Sequence, residues 1–455
     1  MKIAYIRNTF PKPTETFILE EILYLKRAGH EVRIISNWSD LSNLNGKIID
    51  EGLLGNVVCF GLKKIALSEQ LNIALRFLWA SRGKHYRNFF WFNFIKDRDV
   101  DAELKRIFTK KFSGLSFFEK TKKQVAERWE IFIDGIRKNN ISVSKSEYVL
   151  KYQTFSPDHI HCPFLFAWDV DALAQLHAAL PRVPYTVTLR SRDIYLEKAD
   201  PRYLSRRNKI IREASKIFTI SEFNKKTLSS MFSFQGEMQV VHSSIDALLF
   251  TVDPAIVVKE NQLICVARLV PKKGLEVLIE ACALLRASGQ PFQLSIVGGG
   301  VLRSVLLQQI ESAGLSDVVH IVGPFRHKVI KDMLNESEIF VLPCVVASDG
   351  DRDILPNSLK EAMAMERLVV TSDVSGIDEL VCDGIDGLLV APNDPVALAE
   401  KIRFGLRNKE FARIAGRKAR NKILQGFDIN GEGRKFEQEI SRLVSHAAPA
   451  IHSHA

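Results

Sequence analysis

The sequence predicts an α/β protein made of two Rossmann-like domains. Three observations lead there. The chain has 455 residues, more than one ordinary hydrophobic core organises. It opens on an apolar run from Met1 to Ile6, a Pro-containing loop, an amphipathic stretch from Phe17 to Ala28 and a second apolar run from Glu31 to Ser36. The same order restarts at Gln262, where an apolar strand through Ala267 leads into a turn and a helix from Leu275 to Ala287. Such units build parallel sheets that bind ligands at the carboxyl ends of their strands.

Composition narrows the function classes. The chain is 46% hydrophobic and 25% charged, a normal soluble profile. No run approaches the roughly 18 apolar residues of a membrane span. Met1 to Arg7 lacks the longer apolar core and cleavage site of a signal peptide, so a cytoplasmic protein is expected. Cysteines at 59, 162, 265, 282, 344 and 382 form no C-x-x-C pair, which argues against a zinc site or a disulfide framework. The net charge of +10 favours anionic partners. With no recognised nucleic-acid motif, those partners are phosphorylated ligands or an anionic membrane face.

In the first half, Thr14 or Thr16 caps the first helix and Gly29 ends it. Residues 61–150 differ in character. Lys and Arg outnumber acids there by about two to one, and aromatics crowd in from Phe89 to Phe94. Two readings are open: a surface lying against an anionic bilayer, or an inserted helical subdomain with an aromatic core. Beyond it the pattern predicts a helix from Ala167 to Ala179 and a strand from Tyr185 to Leu189. That strand ends at Arg190, close to Asp193. Arg190 either contacts substrate or pairs with an acid at the strand end. A further strand spans Ala214 to Ser221, and Ser221 caps the next helix.

In the second half, Arg268 and Lys273 flank the tight turn after the Gln262–Ala267 strand. Two fixed cations there neutralise a diphosphate and stabilise it as a leaving group; the bland alternative is solvated surface charge. The strand from Phe292 to Val297 ends in Gly298-Gly299-Gly300, which lets backbone approach a ligand. The centre of the chain is the stretch from Asp349 to Met365. It follows a buried strand, Ile339–Leu342, and continues through an acidic loop into a helix with Pro356 in its first turn. The free N–H groups of the helix start offer a seat for phosphate. Asp353 in the loop and Glu361 in the helix offer carboxylates to sugar hydroxyls. This layout suits a nucleotide-sugar. The Asp-x-Asp of Asp349-Gly350-Asp351 reads as turn chemistry, with no metal assigned.

The Asp353–Glu361 spacing, with Ala362-Met363-Ala364 after it, resembles the donor site of retaining glycosyltransferases of family 4. So do Arg268 with Lys273-Gly274, and Phe10-Pro11, Glu15-Thr16-Phe17 and Gly29-His30-Glu31-Val32, which recur in bacterial exopolysaccharide and colanic-acid-type enzymes. The resemblance covers about residues 1–50 and 155–430. It implies the GT-B fold, two Rossmann-like domains facing a central cleft, with residues 61–150 a helical insertion in the first. Residues 1–250 then form the acceptor-side domain and 251–427 the donor domain, with a helix at 428–445 crossing back. It implies metal-independent transfer of a hexose, without a cofactor, from a nucleoside-diphosphate sugar to a hydroxyl of a lipid-linked saccharide. Asp353, Arg190, Arg268 and Lys273 take the catalytic positions. Gly298, Gly299, Phe325, Leu355, Pro356, Asn357 and Glu361 join Arg268 and Lys273 around the donor. Glu15, Thr16, Arg190 and Asp193 face the acceptor. Two departures stand out: Asp353 occupies a Glu position, and Arg190 a His position. They motivate the alternative of a non-catalytic nucleotide-sugar-binding scaffold.

Overall fold

The computed structural model describes residues 1–10, 12, 15–39, 53, 57–62, 155–191, 193–195, 200–231, 234, 236–325 and 327–447. The chain begins β1 (Lys2–Thr9), α1 (Thr16–Arg27), β2 (Glu31–Ser39), β3 (Val57–Leu62), β4 (His159–Cys162) and α2 (Ala167–Ala179). It continues through β5 (Tyr185–Leu189), α3 (Pro201–Glu213), β6 (Lys216–Thr219), α4 (Glu222–Met231) and β7 (Met238–Val240). Next come β8 (Gln262–Val266), a 3-10 turn (Pro271–Lys273), α5 (Leu275–Ala287), β9 (Gln293–Val297), α6 (Arg303–Ser312) and β10 (Val319–Val322). Then follow α7 (His327–Glu336), β11 (Ile339–Leu342), α8 (Asn357–Ala364), β12 (Leu368–Ser372) and α9 (Ile377–Leu380). The chain closes with β13 (Leu388–Val390), α10 (Pro395–Arg407), α11 (Lys409–Gly426) and α12 (Ile429–Ala447).

Two compact units result: residues 1–19 with 26–183, and residues 20–25 with 184–455. In the first, the strands order β3-β2-β1-β4, all parallel. β1 is apolar and buried from Ile3 to Ile6, as an inner parallel strand requires on both faces, and the charged Arg7 after it is buried too. It runs three residues past the predicted end at Ile6, because pairing with β2 continues to Thr9 opposite Trp38. The polar Arg7-Asn8-Thr9 gave no apolar signal for that extension. In α1 the predicted apolar face of Ile18, Leu19, Ile22, Leu23 and Leu25 is buried. Gly29, at φ 89°, follows it in the left-handed conformation. Thr14 and residues 63–150 of the basic segment lie outside the described residues.

The second unit holds the parallel set β5-β6-β7 and a six-stranded parallel sheet ordered β10-β9-β8-β11-β12-β13. Its core is one cluster of Leu, Ile and Val from the strands of that sheet and its covering helices. α12 starts at Ile429, one residue later than the expected 428. Phe427 and Asp428 are instead bound to Ile245: Phe427 O accepts from Ile245 N at 3.0 Å, and Ile429 N donates to Ile245 O at 2.9 Å. Ser221 caps α4 as predicted, its Oγ accepting from Asn224 N at 3.0 Å. Asp394 caps α10 likewise, through Ala397 N at 2.9 Å. Four cysteines, at 162, 265, 282 and 344, are buried, while Cys382 is exposed. No helix among the described residues is long and apolar enough to cross a membrane.

Candidate active site

Three strand ends of the six-stranded sheet meet because glycines let them. Gly274 closes the 3-10 turn in the left-handed conformation at φ 61°. A Cβ there would lie 2.0 Å from the Pro343 carbonyl oxygen, so no other residue lets the turn approach the segment after β11 so closely. Val345 N then donates to Lys272 O at 3.0 Å, fixing the contact. At the end of β9 a Cβ on Gly298 would lie 1.9 Å from the Ala267 carbonyl oxygen. Gly299 is not constrained in this way, its nearest neighbour being Pro324 Cδ at 3.8 Å.

This packing sets the lysines of the turn against the acidic loop. Lys273 Nζ lies 2.5 Å from Asp353 Oδ2. Lys272 Nζ lies 3.4 Å from Asp353 Oδ1 and 3.1 Å from Asp351 Oδ1. The Cys344 thiol donates to Asp353 Oδ2 at 3.5 Å. Burial pushes the Asp353 carboxyl up, but the Lys273 and Lys272 ammonium groups outweigh it and hold it well below the usual range. Burial lowers Lys273 in turn, and Asp353 more than restores it. Arg268 is exposed and near enough for its charge to oppose that of Lys273. The cluster therefore concentrates positive charge on a partly buried carboxylate, and phosphate oxygens offer the same ammonium groups a second anionic partner.

The helix start beside it carries no side-chain cap, and Pro356 occupies the cap position with Leu355 buried before it. The first N–H groups, from Asn357 on, are left to water or a ligand. Glu361 lies in the second turn of α8, as expected, and is buried. Burial raises its carboxyl, while His327 and Lys360 pull it back. Lys360 is fully buried, and its Nζ donates to the Ser243 carbonyl. Burial first, then the charge of Arg190, lowers it to about 7.

Arg190, at the end of β5, is buried and has Glu21 3.6 Å from Nη2. An acid other than Asp193 thus faces its guanidinium. Asp193 folds back on its own loop, accepting from Arg190 N at 3.1 Å and Ser191 N at 2.9 Å. Burial raises it against those hydrogen bonds. Arg207 Nη1 donates to the Asp193 carbonyl at 2.8 Å, and Asn224 Nδ2 to the Arg190 carbonyl at 2.5 Å. Ser191 Oγ donates to the Arg352 carbonyl at 2.8 Å, so this loop touches the one that carries Asp353.

The structure thus brings Arg268, Lys273 and Asp353 together, and places Arg190 near Lys360 on α8 next to Glu361. Phe325 is 44% exposed on the loop after β10, open to a flat ligand. In the other unit, Glu15 is buried between Arg7 Nη2 at 2.6 Å and Lys12 Nζ at 2.7 Å, and Thr16 begins α1. Sequence reasoning missed Lys272, Arg352 and Lys360. Lys272 had a signal, the doubled lysine of Pro271-Lys272-Lys273. The contacts of the other two depend on residues far away in sequence.

Known proteins resemble this chain in sequence and in fold. Residues 251–422 match the family model described as glycosyl transferases group 1. The chain is 32% identical over 276 residues to WcaL of Salmonella typhimurium, named as a colanic acid biosynthesis glycosyltransferase, covering 60% of this chain and 66% of that one. It is 26% identical over 449 residues to WcaL of Escherichia coli K12, covering 97% and 100%. Among solved structures, Anabaena Alr3699/HepE in complex with UDP and glucose superposes with TM-score 0.64 at 17% identity, over 97% of this chain and 100% of that one.

Proposed function

Given a GT-B fold and a glycosyl transferases group 1 domain at residues 251–422, we propose that the chain moves a sugar from a nucleoside-diphosphate sugar to a saccharide hydroxyl in exopolysaccharide assembly, with retention. The observation that carries this is the Lys273–Asp353 contact, with Lys272 beside it, at the ends of β8 and β11. Lys273 and Arg268 take the diphosphate and stabilise its negative charge as the glycosidic bond breaks. Asp353 faces the transferred sugar and Glu361 the ribose. Arg190, permanently charged, acts as an electrostatic contact and not as a neutral acid or base. The relatives' names support a surface-polysaccharide acceptor, and the neighbour's UDP complex supports a nucleotide-sugar donor. The basic composition of residues 61–150 supports a lipid-linked acceptor on an anionic membrane face.

A second reading, a binding scaffold without turnover, draws on the same cluster, since two lysines already neutralise Asp353. A thermal-shift screen of UDP- and GDP-sugars, followed by assay of nucleoside diphosphate release, separates the two. Transfer predicts a stabilising donor that is also consumed. A donor that stabilises the protein and is never consumed supports the scaffold.

A further inference from the structure

Asp is one methylene shorter than Glu, so its reach toward a sugar is set by the backbone that carries it. That backbone is anchored residue by residue. Asp351 is held by Lys272 at 3.1 Å. The Arg352 carbonyl accepts from Ser191 Oγ at 2.8 Å and from Lys272 Nζ at 3.5 Å. The Arg352 guanidinium donates through Nε to the Gly350 carbonyl at 3.1 Å, and it lies over the Tyr195 ring, 4.6 Å from the centroid. Tyr195 is itself fixed, its hydroxyl donating to Asn224 Oδ1 at 3.0 Å. Asn224 in turn holds the Arg190 carbonyl. An unbroken chain of side-chain contacts therefore joins the loop of Asp353 to the loop of Arg190.

We propose that Arg352 is a positioning residue, clamping residues 349–353 onto residues 190, 191 and 193–195 so that Asp353 meets the transferred sugar. This rests on the donor reading above for its chemistry, but not for the clamp itself. Arg352 touches no substrate in this account. A loose loop leaves the diphosphate seat on Arg268 and Lys273 intact while Asp353 wanders. Binding and turnover should then separate, because misplacing a reacting group by about 1 Å can cost on the order of a hundredfold in rate.

The test compares full-length wild type with Arg352→Gln, Arg352→Lys, Tyr195→Leu and the Arg352→Gln/Tyr195→Leu double variant. Backbone hydrogen exchange of peptides spanning 349–353 reads the clamp directly, without ligand. Steady-state kinetics use whichever UDP- or GDP-sugar the wild type consumes fastest, with calorimetry of the matching nucleoside diphosphate. The clamp predicts faster exchange in Arg352→Gln and a kcat lower by about tenfold or more, with diphosphate affinity and donor KM within about twofold. Arg352→Lys keeps a cation over the ring and should recover most of the loss. The double variant should lose less than the product of the two single losses, since both variants break the Arg352–Tyr195 contact while each also loses a hydrogen bond of its own, to the Gly350 carbonyl or to Asn224 Oδ1. Unchanged exchange and kcat in Arg352→Gln, or single losses that multiply in the double variant, would overturn the proposal. Should the wild type consume no nucleotide sugar, the transfer reading fails, while the exchange comparison still decides the clamp.

Discussion

Asp353, partly buried, and Lys360, fully buried, are charges with opposite fates. Asp353 is stabilised as a carboxylate by Lys273 at 2.5 Å and Lys272 at 3.4 Å. Removing Lys273 deletes a cation that the diphosphate would use. Lys273→Ala should weaken nucleoside diphosphate binding by roughly 1.5–3 kcal/mol, the range for one charge-assisted contact. Calorimetric affinity within twofold of wild type would contradict this. At Lys360 the carboxylates of Glu361 and Glu432 offset burial only in part. Its folded value near 7 lies below the roughly 10.4 of an unfolded lysine, so between these values the unfolded chain binds more protons. Stability should therefore rise with pH across that window, relative to a variant lacking the group. Thermal unfolding of wild type and Lys360→Met at pH 6.5 and 9.5 checks the sign. The wild type should gain on the variant at the higher pH, and a constant difference would mean that Lys360 does not titrate there.

Elements meet at His242, just past β7. Its Nε2 lies 3.9 Å from Glu379 on α9, and its Nδ1 lies 3.6 Å from Glu432 on α12. Glu379 also accepts from Phe223 N at 2.6 Å and Glu222 N at 2.9 Å, holding the start of α4. Phe427 packs on the imidazole, and Lys435 shares Glu432. Burial lowers the imidazole, but the two carboxylates outweigh it and raise the folded value above the usual one. A raised value means that the stabilisation is complete below about pH 6.5 and is lost as pH rises through the folded value. The melting-temperature difference between wild type and His242→Gln should be large at pH 5.5 and shrink by pH 9. A difference that does not change with pH removes His242 from this junction. Such junctions were hardly legible in the sequence, unlike the elements they join. α2, β5, α5 and β11 were read with their observed bounds, because apolar runs and periodicity are local signals. The Arg268–Lys273 turn and the Asp353–Glu361 spacing were legible for the same reason. Lys360 was not: residues 359–364 are all buried, so no polar face marks where its charge must go. Arg352 over Tyr195 joins residues 157 positions apart, as the numbering shows, and nothing local announces it.

At the scale of the whole molecule, two parallel sheets present their loops at strand ends, and the catalytic proposal depends on a few of those loops. The net charge of +10 suits anionic partners such as phosphorylated ligands or an anionic membrane face. If residues 61–150 meet such a membrane, the protein should co-sediment with anionic vesicles and be released by salt. Equal sedimentation with neutral vesicles would argue for an internal role of that segment. The central claim is that Asp353 serves the transferred sugar and not the nucleotide. It is tested most directly by nucleotide-sugar turnover in wild type and Asp353→Asn, with nucleoside diphosphate affinity measured on the same samples. The account predicts a consumed donor for the wild type, a rate at least about tenfold lower for Asp353→Asn, and diphosphate affinities within about twofold of each other. Sugar transfer by Asp353→Asn at the wild-type rate would contradict it.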